Sequence, residues 1–289
     1  MSDIYEPTDP LSLPFECFSY DSDRLPVPVP PHWHYFAELL LIREGNVLIC
    51  SNNINYTVHP GEAFFVYPNL VHSIDSEDGC HVLYDVIKLD ISRFSESSSY
   101  APQLRSVLED IALQGLSPLF GAEAVRDMQL GARMTECIAE YQGHRYGYDL
   151  TAKSQIYIIL TLMLRQWMKN GFTLQQRIFQ SDLLGSISSI TAYISSHLQE
   201  PLRVNDLARH CRMSYSVFAR KFRSLYGISC KEYIEKLRTA RVEHFLLFTD
   251  CELNFICQET GYADCSHMIK DFKRIHGVTP RRYRTEHRK

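Results

Sequence analysis

Three histidines and a glutamate lie in the first quarter of the chain: His32-Trp33-His34, then Glu38, then His72 eleven residues beyond Gly61. Imidazole nitrogens and a carboxylate are the donors that hold zinc, iron, manganese or nickel. The same groups can hydrogen-bond a small polar effector such as a sugar, or they can be packing residues in a filled interior. If residues 32–38 form one strand, His32, His34 and Glu38 share a face, because strand side chains alternate with period two. His72 would join them from a neighbouring strand. Trp33, Tyr35 and Phe36 are expected in the core, and His59 and His81 at the surface or as satisfied strand residues.

The elements that must position this cluster can be read from the apolar pattern. Met1 to Pro31 is rich in proline, which favours extended backbone and excludes regular helix. From Phe36 to about Leu89, Leu39–Ile42, Val47–Cys50, Tyr56–Val58, Ala63–Tyr67 and Val82–Leu89 alternate with turn signals such as Asn52-Asn53 and Pro60-Gly61, and with Asp75 to Gly79. Short strands at that spacing predict a sandwich or small barrel. Beyond Phe94 the period changes to helical. Val107, Leu108 and Ile111 form one face, and Leu130, Met134, Cys137, Ile138 and Tyr141 another. Ile156 to Met168 is apolar nearly all round and must be buried, within the chain or against a second copy. Residues 101–170 are therefore the expected dimerisation region, Gly171–Asp182 the expected linker, and Ser186–Leu198 the first helix of a further domain.

That further domain carries one phrase twice: Phe222-Arg223 followed by Gly227-Ile228-Ser229, and Phe272-Lys273 followed by Gly277-Val278-Thr279. Before each lie a short amphipathic helix, a tight connection and a second helix, the arrangement that sets one helix in a major groove. Phe218, Phe222, Met268 and Phe272 take core spacing. Ser216, Ala219, Arg220 and Arg223, and Ser266, Lys270 and Lys273, fall on outer faces where bases serve phosphates and guanine edges. Lys231 to Phe248 reads as a long helix holding the two units at fixed separation. Reading heads one duplex turn apart, roughly 34 Å, contact one face of DNA. The charge agrees: residues 1–185 hold 12 Lys and Arg against 23 Asp and Glu, and residues 186–289 hold 18 against 11. A basic module on an acidic partner is the footprint of a DNA-binding domain joined to something else.

Over about Ile187 to Arg284 the sequence resembles the AraC/XylS transcription regulators. The resemblance rests on Asp206-Leu207-Ala208, Met213-Ser214, Arg220, Phe222-Arg223, Gly227, Tyr233-Ile234, Arg238, Ala240-Arg241, Gly261-Tyr262, Phe272-Lys273, Gly277, Thr279-Pro280 and Tyr283-Arg284. It implies two helix-turn-helix units joined by a linker helix, with Ser216, Ala219 and Arg220 facing bases from the first and Cys265, Ser266 and Lys270 from the second. Arg212 replaces a usual turn glycine, Cys257 a usual alanine and Met268 a usual aromatic, while Arg203 and Glu252 sit where a hydroxyl N-cap is usual. The His32, His34, Glu38 and His72 spacing is similar to the metal-binding motifs of the cupin superfamily, with Pro68 one place late and Leu70 at a usual glycine. Sensor domains of the AraC/XylS family are of this cupin type.

These readings predict a multidomain α and β protein. Residues 1–100 form a cupin-like jelly-roll barrel, 101–182 a helical dimerisation and linker region, and 183–289 an all-α double helix-turn-helix domain. The nine cysteines are an odd number with no Cys-x-x-Cys pair, which indicates neither a disulfide framework nor a thiolate zinc site. The N-terminus lacks a secretory pattern, and Ile156–Leu164 is too short to span a bilayer. The expected protein is a cytoplasmic homodimer, not an enzyme, that binds promoter DNA and a small-molecule effector, with RNA polymerase as a partner if it activates. A divalent metal in the barrel is the cofactor option. The rival expectation is a metal-dependent cupin enzyme with a DNA-binding tail.

Overall fold

A computed structural model describes residues 13–68, 70–94, 104–174 and 190–287. The chain divides into two units, Met1–Leu184 and Gly185–Lys289. The expected linker beyond residue 174, the first four residues of the helix expected from Ser186, and the first twelve residues lie outside the described residues.

Nine strands are described in the first unit: β1 Phe15–Asp21, β2 Val29–His32, β3 Ala37–Glu44, β4 Val47–Ser51, β5 Ile54–Val58, β6 Ala63–Val66, β7 His72–Ser76, β8 Leu83–Leu89 and β9 Leu119–Phe120. They form a five-stranded sheet, β1-β8-β3-β6-β9, facing a four-stranded sheet, β2-β7-β4-β5. All pairs are antiparallel. Asn52 and Asn53, at φ 51° and 64°, supply the left-handed turn that closes the β4–β5 hairpin. Gly45, at φ 71°, joins β3 to β4, and a Cβ there would lie 2.2 Å from the His81 carbonyl oxygen.

β3 is apolar on both faces because both are covered. Leu40 and Ile42 meet Phe64, Tyr84 and Val86 and, from the opposite sheet, Ile49 and Ile74 in the barrel interior. Leu39 and Leu41 face the other way, into a layer of helices. These are α1 Leu104–Leu113, α2 Ala122–Asp127, α3 Leu130–Gly143 and α4 Tyr148–Lys169. Trp167 of α4 is wedged edge-on to Phe65 and Phe120, and its indole N–H donates to the Ser117 carbonyl oxygen at 2.9 Å. Arg43 of β3 bonds Asp85 of β8 (Nε to Oδ2, 2.8 Å) and reaches Thr135 of α3 (3.0 Å), tying sheet to helices. Ile156, Ile159, Leu160 and Met163 are buried, yet Ile158 is 41% and Met168 45% exposed, so this helix packs by one face and leaves an apolar stripe outside.

Four strands, β1, β2, β7 and β9, escaped the sequence reading, β9 because it lies in the stretch of helical period. β1 and most of β2 lie in the stretch read only as extended. β7 was taken in part for a turn because its inward residues are His72, Ile74 and Ser76, and polar inner positions erase the apolar alternation.

The second unit contains α5 Ile190–Ser196, α6 Val204–His210, α7 Tyr215–Tyr226, α8 Cys230–Phe248, α9 Leu253–Glu259, α10 Cys265–His276 and α11 Pro280–His287. α6 with α7 and α9 with α10 are the two helix-turn-helix units, and α8 is the helix between them. Ser214 and Asp264 cap the second helix of each unit, accepting from the backbone N–H groups of Val217 and His267. The repeated glycines end those helices, Gly227 at φ 71° and Gly277 at φ 76°. Ser229 and Glu232 form a reciprocal capping box at the start of α8. Arg203 and Glu252 are N-caps without a side-chain hydrogen bond. In the first turn Arg212 is held at φ 54°, and in the second Gly261 sits at φ 77° with room for no Cβ, since one would lie 2.0 Å from the Leu198 carbonyl oxygen.

Candidate functional site

The four cluster residues converge at one end of the barrel interior, by a route the sequence did not predict. Residues 32–38 are not one strand. His32 ends β2 in the four-stranded sheet, the chain crosses at Trp33–Phe36, and Glu38 lies in β3 of the other sheet. His72 opens β7 directly opposite His32. The facing of two sheets, rather than alternation along one strand, brings the groups together. All four are buried, at 8% exposure for His32, 1% for His34 and His72, and 5% for Glu38.

Each imidazole is oriented by its own backbone. Nδ1 of His32 lies 2.8 Å from the Pro30 carbonyl oxygen, that of His34 2.9 Å from Phe36 O, and that of His72 3.1 Å from Leu70 O. A carbonyl only accepts, so each Nδ1 carries a proton and the ring's Nε2 is left to face the barrel interior. Phe36 stacks on His34 at 3.7 Å between ring centroids and locks that ring. The three donor atoms lie within 4.8 Å of one another. Glu38 faces them, Oε1 at 3.4 Å from His34 Nε2 and Oε2 at 3.7 Å from His72 Nε2. Burial would raise the Glu38 pKa, but His34, His72 and Lys88 outweigh it and hold the carboxyl well below its usual range. Neither His34 Nε2 nor His72 Nε2 has a hydrogen-bond partner among the described atoms. Buried lone pairs facing carboxylate oxygens at these distances are unfavourable unless a cation or proton lies between them.

Lys88 was missed by the sequence reading. It stands opposite Glu38 in the β3–β8 register, on the inward face of β8 with Val86 and Tyr84. Its side chain is 12% exposed, with Nζ 3.6 Å from Glu38 Oε1. The available signal was a lysine at an inward position of an apolar strand. His59 and His81 are exposed, as expected. His81 bonds Asp21 at 3.0 Å and lies near Asp23 and Glu44.

In the second unit Phe218 and Phe222 of α7, and Met268 and Phe272 of α10, are fully buried. That burial fixes which faces the helices show. Ser216, Arg220 and Arg223 of α7, with Ser266, Lys270 and Lys273 of α10, are exposed; Ala219 is half-buried. Cys265 is half-buried, with its thiol 3.0 Å from Asn254 Oδ1 and 3.5 Å from the Leu253 carbonyl oxygen of α9. It fastens the turn. α10 is braced on α8 by Arg274, which donates to Glu235 at 3.0 Å. Asp271, buried on α10, lies 3.3 Å from the His267 ring and 3.6 Å from Arg274.

A ligand-collecting barrel and paired groove-reading helices define a small-molecule-controlled DNA-binding protein. The chain matches the AraC-like ligand binding domain over residues 20–160 and a helix-turn-helix domain over residues 207–286. It is 20% identical over 277 residues to the uncharacterized HTH-type transcriptional regulator YdeC of Bacillus subtilis, covering 95% of this chain and 92% of that one. It is 23% identical over 275 residues to the HTH-type transcriptional activator RhaR of Shigella boydii serotype 4, covering 91% and 90%. Unsaturated fatty acid bound wild-type ToxT from Vibrio cholerae is a similar solved structure at 15% identity, TM-score 0.38, covering 93% of this chain and 94% of that one. The chain belongs to the AraC family of transcriptional regulators. It is a DNA-binding regulator controlled by an effector in its cupin-like domain, and not an enzyme. Among the described residues no helix is long and apolar enough to cross a membrane.

Proposed function

We propose that His32, His34, Glu38 and His72 are the effector-sensing site, and that the effector is held there on a divalent transition-metal ion. The observation carrying this reading is the convergence of three imidazole donors whose Nδ1 protons are tied to carbonyls, two of them with buried, unpartnered Nε2 atoms. Backbone-oriented imidazoles with one carboxylate fit such an ion, and the carbonyl bonds supply the outer support that fixes ring orientation. A filled-interior remnant would satisfy those nitrogens only by keeping a proton between them and Glu38. When bound, the ion supplies an electrophilic position to oxygen donors of an effector. The test is metal content of full-length protein purified without chelator, then titration of apo protein with zinc, manganese and nickel salts. About one ion per chain is expected, with a melting temperature rising as ln(1 + [ion]/Kd). A His34→Ala, His72→Ala variant should lose both. Wild-type binding no stronger than the variant's would end the reading.

The DNA end of the proposal assigns Arg220 and Lys270 to base edges, Arg223 and Lys273 to phosphates, and Ser216, Ala219 and Ser266 to the close approach of helix and groove. The DNA would be a promoter, bound inside the cell by a dimer formed through residues 101–170. Control would follow from unequal effector affinity for the arrangements that do and do not engage DNA.

A further inference from the structure

We propose that Glu235 of α8, with His267 and Asp271 of α10, forms a second site for a divalent transition-metal ion, closing across the seam between the linker helix and the second reading helix. One donor atom from each of the three side chains lies within 4.8 Å of the other two. His267 and Asp271 are four residues apart on α10 and so share one face of the helix. The ring Nε2 is 3.3 Å from the carboxylate Oδ2. Two ligands bonded at about 2.1 Å to one tetrahedral ion stand roughly 3.4 Å apart, so this pair already has the spacing of a chelate. Nitrogen and oxygen donors without a thiol suit zinc, nickel or manganese.

The state of Asp271 is the observation that points to a ligand. Its side chain is 7% exposed, and Oδ2, the oxygen facing His267, has no hydrogen-bond partner among the described atoms. A buried carboxylate oxygen without a donor is costly. Arg274 does not relieve it, because its guanidinium lies 3.6 Å from the other oxygen, Oδ1, while donating to Oε2 of Glu235 at 3.0 Å. Each carboxylate therefore turns one oxygen to Arg274 and keeps the other. The second oxygen of Glu235, Oε1, meets Lys231 at 3.8 Å, on a side chain that is 76% exposed and free to swing into water. Tyr262 packs edge-on to the His267 ring and borders the site. Arg274, Lys231 and Arg238 all act on Glu235 and weaken its hold on a cation. The site therefore fills only above the ion concentrations that saturate the barrel, and purified protein still carries one ion. A proton on His267 is the competing occupant.

The experiment titrates zinc chloride into full-length protein carrying His34→Ala and His72→Ala, which breaks the barrel cluster, and reads bound ion by equilibrium dialysis beside the melting temperature. One ion per chain is expected at the higher concentrations, with a melting temperature rising as ln(1 + [ion]/Kd). Adding His267→Ala should weaken zinc binding at least tenfold, and so should Asp271→Asn, since each removes one of three ligands. His267 is about half exposed, so its truncation leaves the packing of α10 intact and loss of binding is not loss of fold. Zinc bound equally with and without His267 would place the ion elsewhere and overturn the proposal. No zinc bound at any concentration would overturn it too, leaving the proton as the occupant. Neither outcome touches the barrel reading, which is tested with His34 and His72 in place.

Discussion

At the scale of single residues the charge pattern of the barrel makes sharp demands. Glu38→Gln keeps the shape but removes the carboxylate that faces two histidines, so zinc affinity should fall by at least tenfold in calorimetry while the Arg43–Asp85 tie remains. His81 offers a pH readout. Its hydrogen bond to Asp21, with Asp23 and Glu44 nearby, raises its pKa above 6.5. A group raised on folding favours the folded state fully below its unfolded pKa, and that contribution disappears as pH rises through the folded value. A proton-resonance titration should place His81 above 6.5, and Asp21→Asn should bring it down; an unchanged midpoint would show that Asp21 is not the cause. The exposure of His81 keeps any stability effect small.

At the scale of elements, unfavourable termini invite correction. Arg203 and Glu252 cap α6 and α9 without a side-chain bond, so Arg203→Ser or Glu252→Thr should each stabilise by about 1 kcal/mol in urea unfolding. Arg212→Gly relieves a left-handed residue and should also stabilise, by up to about 1 kcal/mol. Gly261→Ala must destabilise, because the conformation and the Leu198 carbonyl both exclude a Cβ; equal unfolding midpoints would contradict that packing. These signals could be read from the chain, since caps, turn glycines and amphipathic faces depend on residues within one or two turns. The β7 strand could not, because its inward residues are polar for reasons that lie in the opposite sheet.

At the scale of the molecule, Arg220→Ala with Lys270→Ala should cost roughly 1 to 3 kcal/mol per base contact on a specific promoter fragment, whereas Lys273→Ala should weaken all duplexes alike and lower the salt slope by about one. Ile158→Glu, on the exposed stripe of α4, should turn a dimer into a monomer in sedimentation; a persistent dimer would place pairing elsewhere. By itself the sequence determined the second unit almost completely, because its helices, caps and repeated phrase are local and periodic. It determined the kinds of donor in the barrel but misplaced how they meet. Tertiary structure alone decided that His32 and Glu38 lie on facing sheets, that Lys88 joins them and that α4 keeps an open face. The reason is physical: local backbone preferences act over a few residues, whereas burial, charge pairing and the crossing of a chain between sheets depend on groups far apart in sequence.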